Sequence, residues 1–306
     1  MKPEIRKDYV EEEYVIIAPK RGKRPKDTKK KIKSDLKVNE VCVFCKEKQK
    51  NIKAELQYGK DDWRVKVIKN KYPAISLDNK DAYGTQEVVI ESPAHNCMLH
   101  EQKEERVAEI LKAYSDRTKA LSENKKIQYI LIFKNQGANA GASLRHAHSQ
   151  IFAMGFLPPH LYEKSKRIHS HKLRFGRCVY CDVISAETKG SRLVYKDQNV
   201  IAFTPYASVH NYEVWIMPLR HIDNITLLNS TERKSFAKIL KRILEKIKKL
   251  DLSYNFYFHQ AVFDKDQHLY MKIKPRGSTW AGVELGAGIA INQISPEYAA
   301  KYYKKK

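Results

Sequence analysis

"VCVFCKE" (residues 41–47) recurs as "RCVYCDV" (177–183), and this recurrence organises the whole chain. After each C-x-x-C pair comes an apolar strand with turns, DDWRVKVIKNKYPAI in the first copy and SRLVYKDQNVIAFTPY in the second. EVVIESPAH (87–95) then aligns without gaps on EVWIMPLRH (213–221), each ending in a histidine. A helical pattern follows in both copies: Val107, Ile110, Leu111, Tyr114 and Leu121 share one face, as do Phe236, Ile239, Leu240, Ile243, Leu244 and Ile247. Beyond each helix the pattern predicts two more strands, QYILIFKN with HAHSQIF and YNFYFHQAV with HLYMKIK. Each half therefore reads β-β-α-β-β, residues 1–160 and 161–306, and the expected fold class is α+β: tandem halves of antiparallel sheet flanked by helices.

The repeat also carries a metal logic. Each half offers two thiols and two imidazoles at matching stations: Cys42, Cys45, His95 and His146, then Cys178, Cys181, His221 and His268. Two sulfurs and two ring nitrogens suit a closed tetrahedral zinc site, and four protein ligands leave no open position for water, so two structural zinc ions are expected. Both C-x-x-C pairs are expected on tight knuckle turns rather than at the start of a helix, where a redox pair would sit. Iron suits similar sulfur-rich sites. Cys97 is left over.

His148 is the residue that the metal does not use. In GASLRHAHSQIFAMG (141–155), His146, His148 and Gln150 alternate along a stretch that reads as a strand, so all three share a face. The second copy has Tyr270 where the first has His148 and Lys272 where it has Gln150, which places chemistry in the first half. An imidazole beside a rigid metal ligand is pre-positioned as nucleophile or base. Before it, NQGANAGAS (135–143) joins two strands through glycines and small residues, giving backbone amides close access to an anion, with Asn135 and Ser143 as side-chain donors.

Length and composition set the frame. The 306 residues, 42% of them hydrophobic, can bury a full core. No apolar run approaches the length of a membrane helix, and the opening MKPEIRKDYVEEEYVIIAP is charged where a signal peptide would be apolar, so a cytoplasmic protein is expected. A net charge of +23 attracts anions such as nucleotides and sugar phosphates. Much of the lysine lies in solvated runs, KDTKKKIKSDLK (26–37), KRILEKIKKL and the terminal KYYKKK, which weakens any case for nucleic acid. The rival to an enzyme is a duplicated zinc module binding RNA through that basic surface, and His148 discriminates, since such a module needs no unliganded histidine behind a phosphate loop.

The ordered set EIRKDYVEEEYVIIAPKRGKRP, CVFC, KNKYP, VVIESPAH, NQGANAGASLRHAHSQ and TWAGVELGAGIAIN resembles the galactose-1-phosphate uridylyltransferase family of the histidine-triad superfamily, with its relatives the ADP-glucose phosphorylases, over nearly the whole chain. The resemblance implies histidine-triad-like halves, catalytic in the first and degenerate in the second. It also implies that His148 attacks the α-phosphorus of a nucleoside-diphosphate sugar and carries the nucleotidyl group. By the same mapping Gln150, Ser143 and Asn135 hold phosphate oxygens, and Arg21, Arg24, Phe44 and Asn70 contact the nucleotide. Gly282 and Glu284 would approach the sugar or diphosphate. Partners are then a nucleoside-diphosphate sugar and hexose 1-phosphate or phosphate, with no membrane, and a homodimer is compatible.

Two departures bear on the acceptor. H-A-H-S-Q stands where the uridylyltransferases usually read H-P-H-G-Q, and Ser278, Thr279 and Trp280 include no lysine before AGVELG. Hexose-1-phosphate uridylyltransferase is ranked ahead of nucleoside-diphosphate-sugar or dinucleoside-polyphosphate phosphorylase, and ping-pong kinetics are expected.

Overall fold

The structure is a computed structural model that describes residues 2–23 and 42–305. Two short strands open it, β1 (Glu4–Lys7) and β2 (Tyr14–Ile17), which pair antiparallel. The first half then supplies β3 (Leu56–Tyr58), β4 (Val65–Lys69), β5 (Gly84–Ile90), α1 (Glu104–Ser122), β6 (Tyr129–Gln136) and β7 (His148–Met154). Next come α2 (Pro159–Phe175) and α3 (Val179–Thr188). The second half repeats the order with β8 (Leu193–Lys196), β9 (Val200–Phe203), β10 (Val214–Pro218), α4 (Ser230–Lys249), β11 (Tyr254–His259) and β12 (Tyr270–Pro275). The short helix α5 (Gly282–Ala287), β13 (Ala290–Asn292) and α6 (Pro296–Lys304) close the chain.

Ten strands form one sheet in the order β3-β4-β5-β7-β6-β11-β12-β10-β9-β8, every pairing antiparallel. The second five strands run in the reverse spatial order of the first five, and β6 joins β11 at the centre. Each half carries one more strand than the sequence reading expects, the edge strands β3 and β8. The polar run around Leu56–Tyr58 shows little apolar alternation, as suits a short exposed edge.

The alternation of side chains decides what each face does. Val67, Val89, Ile132, Ile151, Val214, Ile216, Phe256, Phe258 and Ile273 point to one side, where the apolar stripes of α1 and α4 cover them in one continuous core. The predicted stripe residues Val107, Ile110, Leu111, Tyr114, Phe236, Ile239, Leu240, Ile243, Leu244 and Ile247 are all buried there, and Leu121 is partly buried against them. α4 is held at its start by a capping box, in which Asn229 Oδ1 accepts the Glu232 N–H and the Glu232 carboxylate accepts the Asn229 N–H, each at 2.9 Å.

The opposite face is treated differently in the two halves. In the second, α2 and α3 lie over Ile201, Phe203, Trp215, Met217 and Tyr270 through Ile168, Val179, Tyr180, Val183 and Ile184. The segment between β1 and β2 joins this cover: Tyr9 stacks edge-on against Trp215 at 5.6 Å, and Glu11 reaches Lys164 at 3.2 Å. In the first half the same face holds a small cluster of Cys42, Phe44, Trp63, Ile68, Val88 and Ile90 beside β7. A three-stranded sheet, β1-β2-β13, packs on the second half through Val15, Ile17, Ala207, Val209 and Ala290.

Two local expectations are corrected. The first C-x-x-C pair sits on a turn that runs into a 3-10 helix (Lys46–Gln49), as a knuckle should. The second opens an α-helix with Cys178 as the N-cap of α3, because Val179, Tyr180, Val183 and Ile184 form a helical stripe that the sheet can bury. Strand β7 also begins at His148 rather than before His146. His146 lies in the bend ahead of it and turns to the Cys42–Cys45 turn.

Candidate active site

Strand β7 presents His148, Gln150 and Phe152 to the face that α1 leaves free, while Ser149, Ile151 and Ala153 are buried behind it. His148 Nδ1 lies 2.8 Å from the backbone oxygen of His146, so Nδ1–H donates and the Nε2 lone pair faces outward. Burial, and then the positive charge of Lys134, hold the His148 pKa below the usual imidazole value, which favours the neutral nucleophilic ring. Phe44 packs beside it with ring centroids 5.1 Å apart and meets His146 edge-on.

The polar donors are held by residues that sequence reasoning missed. Gln150 Oε1 accepts from Gln86 Nε2 at 2.7 Å, and Gln86 Oε1 accepts the Ala74 N–H at 3.2 Å. This relay turns the Gln150 NH₂ group toward the open face. Asn70, at the end of β4, adjoins it through its N–H to the Gln86 carbonyl, and its Oδ1 caps Tyr72. Asn255 of β11 donates to Asn135 Oδ1 and to the Ala140 carbonyl, each at 2.8 Å, so one second-half side chain fixes both the Asn135 amide and the glycine loop. Gly137 adopts φ 85°, and a Cβ there would meet Ser253 Oγ at 2.3 Å, so this turn requires glycine. Ser143 is exposed at the end of the loop.

Behind β7 lies a buried ion pair. Lys134 and Glu91 are fully enclosed, 2.9 Å apart, and Lys134 Nζ also donates to the His148 carbonyl at 2.9 Å. Tyr114 OH bridges Glu91 and Ser149 Oγ, the latter at 2.6 Å. The signal existed in the sequence: Glu91 and Lys134 occupy inward positions that continue the series of Val89 and of Ile130 and Ile132. Lys134→Met leaves a buried carboxylate without its cation, so we expect the chain to lose about 3–5 kcal/mol, read as a lower midpoint in urea unfolding.

Both metal-ligand sets assemble as expected from the spacing. The ligand atoms of Cys42, Cys45, His95 and His146, and those of Cys178, Cys181, His221 and His268, lie within 4.8 Å of one another in each set. Cys45 Sγ stands 3.5 Å from His95 Nδ1 and 3.8 Å from His146 Nδ1, and Cys181 Sγ repeats both distances to His221 and His268. These separations match the edges of a tetrahedron with zinc–ligand bonds of about 2.0–2.3 Å. The outer nitrogens fit too: His146 Nε2–H donates to the Ser92 carbonyl at 2.7 Å, and His268 Nε2–H to the Pro218 carbonyl at 3.1 Å, which aims Nδ1 inward in both sets. Either set can hold a metal ion of zinc-like preference.

The remaining predicted residues are divided. Arg21 lies in the 3-10 turn after β2, and Gly282 and Glu284 lie in α5, so these three form a group on the small sheet beside the second half. Strands β6, β11, β12 and β10 separate β7 from the strand-linking segment on which that sheet rests. Arg24 lies outside the described residues.

The comparisons with known proteins agree with this geometry. The family model described as galactose-1-phosphate uridyl transferase, N-terminal domain, matches residues 47–158. An ADP-glucose phosphorylase of Arabidopsis thaliana is 31% identical over 99% of this chain and 93% of its own length. A galactose-1-phosphate uridylyltransferase of Thermotoga maritima is 28% identical over 99% of this chain and 98% of its own. The crystal structure of the Arabidopsis thaliana ADP-glucose phosphorylase with bound ADP-glucose superposes with a TM-score of 0.89 at 30% identity, covering 100% of this chain and 99% of the other. Fold, site and similarity together define a nucleotidyltransferase. More narrowly, the chain belongs to the galactose-1-phosphate uridylyltransferase family.

Proposed function

We propose that this enzyme moves a nucleoside monophosphate from a nucleoside-diphosphate sugar to a second phosphate through a covalent nucleotidyl group on His148. The observation that carries the reading is the Nδ1–H bond from His148 to the His146 carbonyl, which leaves Nε2 as the one ring nitrogen able to attack phosphorus. Nε2 displaces a sugar 1-phosphate from the α-phosphorus; the leaving phosphate is already a weak base and needs little help from an acid. Gln150, Asn135, Ser143 and the loop amides orient the phosphoryl oxygens and offset their charge. Phe44 and Asn70 flank the nucleoside on the β4–β5 side. Residues 1–160 form the catalytic histidine-triad-like half and 161–306 a degenerate one.

Zinc at either four-ligand set would supply structural cross-linking, and four protein ligands would leave no position for substrate. At the first set, Cys42, Cys45, His95 and His146 would fix the bend whose carbonyl holds His148. A homodimer would let the Arg21, Gly282 and Glu284 group of one copy serve the His148 site of the other, since four strands lie between them within one chain. The setting is cytoplasmic; among the described residues no helix is long and apolar enough to cross a membrane.

Two acceptors suit this chemistry, hexose 1-phosphate and inorganic phosphate. The likeness to ADP-glucose phosphorylase over essentially the full length of both chains favours phosphate with an adenylyl donor. Ser149 of the H-A-H-S-Q motif does not bear on this choice, because it is buried behind β7 on Tyr114. A panel of UDP-glucose with galactose 1-phosphate, and ADP-glucose with phosphate, separates the two. Parallel double-reciprocal lines are expected with the preferred pair, and converging lines would exclude a ping-pong route.

A further inference from the structure

The join between the halves sets matching side chains at equal distances from the centre of the sheet. Phe133 of β6 faces Tyr257 of β11, and on their outer sides Phe133 faces Gln150 of β7 while Tyr257 faces Lys272 of β12. Side chains in such a row stand on the same face. Lys272 is therefore the counterpart of Gln150, and Tyr270, two residues earlier, is the counterpart of His148. The aligned sequences HAHSQIF and HLYMKIK pair the same residues.

In the second half the chain itself covers these positions. Between β1 and β2, Asp8 Oδ1 accepts the Val10 and Glu11 N–H groups, each at 2.9 Å, and the Asp8 N–H donates to the Glu13 carbonyl at 2.9 Å, which closes a tight turn. Val10 is buried among the residues that cover Trp215 and Tyr270. The turn sets the Glu11 carboxylate 3.2 Å from Lys164 and 3.6 Å from Lys272. Lys164 in turn donates to Tyr270 OH and lies 3.4 Å from His259 Nδ1. Among the described residues, no other carboxylate lies within ion-pair distance of Lys164 or Lys272. Lys274, two residues on, is matched by Glu213, which the β10–β12 register sets opposite it, and Glu13 lies near both Lys272 and Lys274. The two lysines that meet Glu11 are almost enclosed, whereas the Glu11 side chain keeps 24% of its surface exposed. Burial opposes its charge, yet Lys164 and then Lys272 hold its pKa at about 2. A full negative charge therefore stands before Lys272 and Tyr270, as the phosphoryl group is proposed to stand before Gln150 and His148.

We propose that the second half retains an anion site, formed by Lys272 and Lys164 beside Tyr270, whose resident ligand is the Glu11 carboxylate and which takes a small free carboxylate or phosphate when Glu11 is absent. The comparison with a phosphoryl group rests on the nucleotidyl-histidine reading; the anion site itself does not. The degenerate half then serves as an anchor: it holds the turn that leads into β2 and on to Arg21, instead of binding a second donor. Truncating Glu11 leaves two enclosed ammonium groups without their counter-charge, which costs far more than the loss of an exposed pair. The exposed edge of the Glu11 side chain gives a small anion a way into the space it vacates. An anion that binds there only in the folded chain stabilises it by mass action.

The test is rescue of stability by anions. Unfolding temperatures of the full chain are measured in sodium chloride and in graded sodium formate or sodium phosphate at equal ionic strength. Glu11→Ala should unfold at a lower temperature than the wild type in chloride, and formate should return at least about half of that loss along a saturating curve. Whichever of formate and phosphate acts at the lower concentration identifies the preferred class of anion. The wild type, with Glu11 in place, and Glu11→Gln, whose amide fills the same space, should show no saturating response. Adding Lys272→Met to Glu11→Ala should abolish the rescue. The same saturating shift in the wild type, or a Glu11→Ala chain that neither anion moves, overturns the proposal. If Glu11→Ala does not fold in chloride, the folded yield on refolding with and without formate is read instead, and equal yields overturn it. A wild type that forms no nucleotidyl adduct would remove the His148 reading and leave the anion site standing.

Discussion

His148→Ala is expected to lower nucleotidyl transfer by about 10⁴-fold or more, the scale seen when a covalent nucleophile is removed. Among the described residues, no neighbouring group offers a replacement. His146 is buried, with Nε2 on the Ser92 carbonyl and Nδ1 turned to the sulfurs, and Tyr270 occupies the equivalent position in the other half beneath α2 and α3. The change should cost little stability, because the His148 ring is only partly buried, packs beside Phe44 and makes one hydrogen bond to its own strand's entry. Initial rates at saturating donor and acceptor, with a urea unfolding curve as control, separate the two effects. A variant retaining a tenth of the wild-type rate would mean that water or the acceptor attacks the donor directly.

The second large effect concerns the metal sets. A structural zinc site in small domains contributes about 10–16 kcal/mol, comparable with the whole stability of an ordinary domain. Cys45→Ala and Cys181→Ala should each bring bound zinc from two ions per chain to one, measured by elemental analysis, and lower the unfolding temperature steeply. Their activities should then diverge. The first set contains His146, whose carbonyl holds His148, so Cys45→Ala should lose rate even well below its unfolding temperature. Cys181→Ala, whose set lies at α3 and the β12 entry, should keep most of its rate while folded. Equal losses would show that the first set does not position the nucleophile. Zinc content unchanged in both would remove the metal from the account.

Much of this site was legible because the duplicated spacing is redundant. Four ligand positions recurring twice pick out the candidate metal sets without any knowledge of the fold, and Tyr270 against His148 is the asymmetry on which the proposal of a catalytic first half rests. The apolar stripes of α1 and α4 predicted the covered face of the sheet for the same reason, since only burial maintains them. What stayed hidden depended on tertiary pairing. α2 reads PHLYEKSKRIHSHKLRF and buries little beyond Lys164 and Ile168, so no stripe announces it. β2 joins β13 from opposite ends of the chain, which no local pattern encodes. Gln86 and Asn255 look like ordinary strand polar residues until the register sets them against Gln150 and Asn135.

A knuckle turn would argue against a redox role for the second C-x-x-C pair. The pair in fact caps a helix. Its sulfurs nevertheless converge with His221 and His268, and hydrogen bonds from Cys181, against the cost of burial, keep Cys178 well below the ordinary thiol range, in the form that ligates metal. Ligand convergence, more than the local turn, is the observation that favours metal.

The central claim is the covalent bond to His148, and intact-mass spectrometry tests it most directly. Wild type and His148→Ala are incubated briefly, in separate tubes, with UDP-glucose, UDP-galactose or ADP-glucose. The account predicts a gain of one nucleoside monophosphate with at least one donor in the wild type, lost in the variant, and the mass gained names the base. Turnover of a donor without any adduct, or the same adduct in His148→Ala, would contradict it.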